Sequence, residues 1–200
     1  MLRSPLAPTH LLYLHGFRSS PQSFKARRLH GWLRQHRPDV TWWCPQLPPS
    51  PREAMARVMD DVADWPQDSS AVLGSSLGGF YATFVAERCG WPAVLINPAI
   101  DPARDLVAYV GEQSAYHDPT ERFFFRAEYV DELRALHAGT LTRRERYLPV
   151  IATGDEVLSW REMIQRYPGQ PLRLVQGSDH ALSDFEDHIP HLLKFLNLCD

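Results

Sequence analysis

Two hundred residues, 44% hydrophobic and 22% charged, suit one folded domain and argue against a largely disordered chain. The 21 basic and 24 acidic residues are mixed along the sequence, giving a net charge of −3, and no basic block invites nucleic acid. No apolar run approaches the roughly 18 residues that suggest a membrane helix.

Three cysteines, Cys44, Cys89 and Cys199, are far apart and odd in number, which favours free thiols in a reducing compartment over a disulfide framework or a zinc site. The opening MLRSPLAPTH places two prolines before a core-like strand and does not resemble a secretion signal, so a cytoplasmic location is expected.

In chain order, apolar runs predict strands at 10–14, 40–44, 71–74, 93–96, 148–152 and 172–175. Most are rich in Val, Leu and Ile without polar alternation, as parallel strands buried on both faces should be. Ser50-Pro51-Arg52-Glu53 has the form of a capping box with proline at the first helical position. Met55, Val58, Met59, Val62 and Trp65 follow it at helical spacing. Phe185, Ile189, Leu192, Leu193 and Leu196 form a final apolar stripe, which Pro190 is expected to kink or split. Strand and helix in alternation predict an α/β fold with right-handed crossovers.

One connection breaks this rhythm. Residues 98–146 form an insertion far longer than an ordinary connection, with a helix expected around 128–137 and an aromatic run at Phe123, Phe124 and Phe125. It reads either as a cap over a site or as an elaborated crossover.

The sharpest chemical signal is Gly74-Ser75-Ser76-Leu77-Gly78, directly after the strand at 71–74. It matches G-x-S-x-G in the strand–turn–helix setting of a nucleophile elbow, where small residues let the two backbones approach and the middle serine projects above the sheet. Ser76 holds that middle place. A phosphate-binding loop is disfavoured, since no Gly-Lys-Ser/Thr ending is present.

A serine hydroxyl needs a base. Among nine histidines, His180 alone sits in a loop after the last predicted strand, within Gly177-Ser178-Asp179-His180. Functional groups in parallel α/β sheets gather beyond the carboxyl ends of strands, and Ser76 and His180 both meet that rule. The acid that orients the imidazole is expected at Asp155, in Thr153-Gly154-Asp155-Glu156 after the strand at 148–152. Asp101, Asp179 and Glu156 are competitors. The order Ser76, Asp155, His180 is the nucleophile–acid–histidine order of α/β-hydrolases. Developing oxyanion charge would be met by the backbone N–H groups of Leu77 and of Phe17, the latter in the loop that begins at His15-Gly16. His15 reads as a loop organiser that also borders the substrate.

The segments LLYLHGFRSSPQSFKA, GSSLGGFYAT, LINPAI, TGDEVLSW and GSDHALSDFE together resemble the small bacterial YqiA/YcfP-type esterases of the α/β-hydrolase superfamily. The resemblance spans nearly the whole chain and is least specific in the insertion. It implies a compact α/β-hydrolase domain over residues 1–200, with a mainly parallel six-stranded sheet in the order 2-1-3-4-5-6, flanked by helices and carrying a cap-like insertion. It also implies Ser76 as nucleophile, Asp155 as acid and His180 as base.

The expected activity is serine-dependent cleavage of a small-molecule carboxylic ester or acyl thioester, with no metal and no cofactor. Amide or peptide cleavage by the same three residues stays open, as does a noncatalytic binding protein on the same fold. Phe123, Phe124 and Phe125 are candidates to line an acyl pocket, or else to seal the insertion onto the core.

Overall fold

The expected apolar runs pair as six parallel strands, and their order explains where the site lies. A computed structural model describes residues 6–169 and 171–199. The first five residues of the opening segment lie outside the described residues.

The elements run β1 (His10–Leu14), α1 (Phe24–His36), β2 (Thr41–Trp43), α2 (Pro51–Asp61), β3 (Ser70–Ser75), α3 (Leu77–Cys89) and β4 (Ala93–Ile96). The insertion follows, with α4 (Pro102–Leu106), β5 (Gly111–Ser114), β6 (Arg122–Phe125) and α5 (Glu128–Ala135). The chain ends with β7 (Tyr147–Ala152), α6 (Trp160–Arg166), β8 (Arg173–Val175) and α7 (Phe185–Phe195). The main sheet is ordered β2-β1-β3-β4-β7-β8. Numbered without the insertion's strands, that is the expected 2-1-3-4-5-6.

Alternate residues of these strands feed two cores. Leu12, Leu14, Val72, Leu95 and Tyr147 face α2, α3 and the insertion, while Leu11, Tyr13, Leu73, Ile96 and Val150 face α1 and α7. Burial on both faces is why the inner strands β1, β3, β4 and β7 lack polar alternation.

Ser50 caps α2 as its spacing predicts, its hydroxyl accepting from the Glu53 N–H at 3.2 Å. In α7 the expected break at Pro190 does not occur, and the helix runs from 185 to 195. Pro190 is exposed, whereas Phe185, Ile189, Leu192 and Leu193 are buried. The lost backbone bond therefore faces solvent while the opposite face is held by packing.

The insertion contains the expected helix, here α5, and also an antiparallel ribbon of β5 and β6 that its sequence did not announce. Register brings Leu14 beside Gly74, Ser75 beside Ile96, Ile96 beside Val150 and Ala152 beside Val175. The carboxyl ends of five strands thus open onto one edge.

Candidate active site

Ser76 follows β3 directly and stands at the start of α3 with φ 57° and ψ −123°. A left-handed φ at a non-glycine residue is strained backbone, held here by the surrounding turn. Two glycines permit that turn. A Cβ on Gly74 would lie 2.0 Å from the Gly78 carbonyl oxygen, and one on Gly78 would lie 1.9 Å from that of Leu14. No side chain fits at either position, so the spacing in the motif has a steric cause.

His180 reaches the serine from the loop after β8. Its Nε2 lies 3.0 Å from Ser76 Oγ, and its Nδ1 lies 2.8 Å from Asp155 Oδ2. A carboxylate only accepts, so Nδ1–H donates to Asp155 and Nε2 is left to accept from the Ser76 hydroxyl. The Asp155 side chain is fully buried, and its Oδ1 accepts the N–H groups of Val157 and Leu158 at 2.9 and 2.8 Å. Those bonds fix the carboxylate's orientation before the imidazole meets it.

The competing carboxylates are engaged elsewhere. Asp101 caps α4 by accepting from the Arg104 N–H, and Asp179 accepts from the N–H and hydroxyl of Ser183. Glu156 accepts the backbone N–H of His180 at 3.0 Å, and so holds the loop instead of the ring.

Three contributors escaped the sequence reading. Asn97, fully buried with φ 40°, follows β4. Its Oδ1 accepts the Ala152 N–H at 2.8 Å, and its Nδ2 donates to the carbonyls of Asp179 and His180, both at 3.1 Å. The available signal was its place directly after an apolar strand, the same place that singled out Ser76. Lys25 donates to the Ala181 carbonyl at 2.6 Å, tying α1 to the His180 loop. Burial pushes its ammonium down to about 8, opposed by the charges of Asp179 and Asp155. Arg18, with φ 59°, donates from Nε to the Ser114 carbonyl at 2.6 Å and accepts at its own carbonyl from the Tyr116 N–H. That joins the loop after β1 to the β5–β6 ribbon.

Ser76 and His180 line a cleft of about 610 Å³. Phe17 and Leu77 border the same cleft, and Leu77, as the first residue of α3, has a backbone N–H with no intrahelical partner available. The insertion supplies Pro102, Leu106, Tyr109 and Tyr116 to its wall.

His15 is buried, with Nδ1 donating to the Gly16 carbonyl at 3.0 Å and Nε2 accepting from the Leu47 N–H at 3.2 Å. Burial pushes its imidazole down to about 4. Both ring nitrogens serve the loop, which leaves none for hydrogen bonding to a substrate.

The aromatic run divides by strand alternation. Phe125 is buried and Phe123 half-buried, whereas Phe124 is 60% exposed and lines neither the Ser76 cleft nor the cavity beside it. The expectation that Phe124 borders a substrate is therefore corrected. Among the described residues, no group of three or more His, Cys, Asp and Glu side chains is placed to hold a metal ion. No helix among them is long and apolar enough to cross a membrane.

A solved structure of alpha/beta hydrolase domain-containing protein 10 from mouse matches with TM-score 0.70 at 15% identity, covering 94% of this chain and 90% of that one. A structure from the work on LipS and LipT, two metagenome-derived lipolytic enzymes, matches with TM-score 0.66 at 18% identity, over 97% and 96% of the two chains. Likeness at such identities carries the fold, and the fold is that of the α/β-hydrolases. More narrowly, the model of the family described as "Uncharacterised protein family (UPF0227)" matches residues 10–197, and the chain belongs to that YqiA/YcfP-like family. A UPF0227 protein of Serratia proteamaculans (strain 568) is 24% identical over 195 residues, covering 94% of this chain and 99% of its own.

Proposed function

We propose that this protein is a serine hydrolase that cleaves carboxylic esters or acyl thioesters through an acyl-enzyme on Ser76. The observation that carries the reading is the unbroken hydrogen-bond path from Ser76 Oγ through His180 to buried Asp155. Such a path supplies the base a hydroxyl lacks and the fixed tautomer that base requires.

In this mechanism His180 Nε2 takes the hydroxyl proton as Ser76 Oγ bonds to the acyl carbon. The carbonyl π electrons move onto oxygen, where the N–H groups of Phe17 and Leu77 meet the charge. His180 returns the proton to the departing alcohol or thiol as the bond to it breaks. Water, deprotonated by the same nitrogen, then adds to the acyl carbon, and collapse releases the acid and restores the serine. Asp155 stabilises the imidazolium in both halves. Water is the sole co-reactant, so the cycle balances without a cofactor.

The three half-buried free thiols fit a reducing compartment, which supports a cytoplasmic location. Side-by-side turnover of a matched ester, thioester and amide tests the reaction class. The expected result is hydrolysis of the first two with the amide far slower. Preferential cleavage of the amide would replace this reading with a peptidase-like one, and turnover of none of them would favour a binding protein.

A further inference from the structure

The Ser76 cleft is not the only cavity that meets the loop after β1. A second chamber of about 380 Å³ lies against it, walled by Leu47, Pro48, Leu77, Tyr81, Phe123 and Phe125. His15, Gly16, Phe17, Ser19 and Leu77 border both spaces. The Phe17 ring stands edge-on to Tyr109 at 5.7 Å, and Tyr109 lines the cleft. It also stands edge-on to Phe123 at 5.9 Å and to Phe125 at 5.2 Å, and those two line the chamber. Among the shared residues, Phe17 is the one whose ring packs on aromatic walls of both cavities.

We infer that the second chamber is a subsite for the distal carbons of an apolar acyl chain, and that the Phe17 ring gates it. This rests on the esterase reading above. The two backbone amides proposed to hold the carbonyl oxygen belong to Phe17 and Leu77, two of the residues at which the cavities meet. An acyl group anchored there has its chain directed along the Phe17 ring. The charged groups around the chamber are already paired: Arg57 with Asp61, His117 with Glu121, and Arg18 with Ser114. Apart from Ser19, Gln46 and His15, whose ring nitrogens are bonded within the loop, what remains to face an occupant is apolar wall, which selects hydrocarbon over an ionic group. Arg18 holds the gate's frame, since its guanidinium also stacks 4.4 Å over the Tyr116 ring and so binds the loop to the ribbon that carries Phe123 and Phe125.

Phe17→Ala keeps the backbone N–H and removes the ring that stands between the two cavities. The ratio of kcat/KM for an octanoyl ester to that for an acetyl ester should rise roughly tenfold or more, because each methylene withdrawn from water is worth about fourfold. Phe17→Leu, which keeps bulk in the loop, should give a smaller rise in the same direction. Ala115 is buried and lines the chamber but not the cleft, so adding Ala115→Leu to Phe17→Ala should cancel the gain by filling the new space. Calorimetric titration of octanoate into the same series on a Ser76→Ala background reads the chamber without turnover. Affinity should rise with Phe17→Ala and fall back in the double variant. Equal octanoate affinity across the series, or a gain that survives Ala115→Leu, would overturn the gate. Loss of all ester turnover with the octanoate series intact would instead count against the serine-hydrolase reading alone.

Discussion

The side-chain amide of Asn97 donates to the backbone carbonyl of His180 at 3.1 Å while its own oxygen accepts the Ala152 N–H at 2.8 Å. One buried side chain thus ties the loop that carries the imidazole to the end of β7, from which Asp155 follows. Asn97 is a positioning residue in this arrangement. Asn97→Ala removes the tether and leaves three backbone groups to find other partners, at about 1–3 kcal/mol for each that stays buried and unpaired. Turnover should fall roughly 100-fold through kcat, with KM moving little, since small misplacement of a reacting group costs about that much. Steady-state kinetics beside a thermal melt provide the check. A large drop in melting temperature with kcat unchanged would reduce Asn97 to a core amide.

The acid is tested by comparison. Asp155→Asn presents the wrong partner to the imidazole and should lower kcat by about 10⁴-fold with the fold intact. Asp101→Asn should have little effect, because Asp101 caps α4 and asparagine caps as well as aspartate. If the two variants exchanged these outcomes, the acid would lie in the insertion.

His15 carries a pH dependence of stability. Burial pushes its imidazole down from 6.5 to about 4 in the folded chain, so between those values the unfolded chain binds more protons. The contribution is fully present above pH 6.5 and is lost as pH falls toward 4, by roughly 3 kcal/mol in all. Denaturant melts of wild type and His15→Gln across that window should diverge by about this amount, the variant having the flatter profile. Parallel profiles would mean that the imidazole is not desolvated in solution.

The aromatic run should separate by exposure. Phe125→Ala opens a cavity beside Phe17 and Tyr129 and should cost about 3–5 kcal/mol. Phe124→Ala, on the solvent face of the ribbon, should change stability by no more than about 0.5 kcal/mol and leave acyl-length preference unmoved. A shifted chain-length profile in Phe124→Ala would show that the ribbon turns this ring inward during turnover.

The main sheet was legible because its inner strands β1, β3, β4 and β7 are short apolar runs buried on both faces, which removes ambiguity about which residues pack. The half-exposed edge strands β2 and β8 are read from shorter runs. Gly74 and Gly78 announced the elbow because steric contact there excludes every other residue. The ribbon was not legible: β5 is Gly-Glu-Gln-Ser, with no apolar signal, and is held by its pairing with β6 and by Arg18 from the loop after β1. The sequence does not separate Phe124 from Phe123 and Phe125, because alternation within a strand can be read only once the strand is known. Pro190 does not split α7 because its missing N–H matters little on an exposed face held from behind by packing. Asn97 carries only the positional signal of following β4; its side chain bonds backbone groups brought together from distant segments, and no local spacing records those partners.

The most direct test of the Ser76 mechanism is labelling with a fluorophosphonate followed by mass mapping of the modified peptide. An adduct on Ser76, absent from Ser76→Ala, retained in Ser75→Ala and strongly slowed in His180→Ala, is the expected result. An adduct on another residue, or labelling at the wild-type rate without His180, would contradict it.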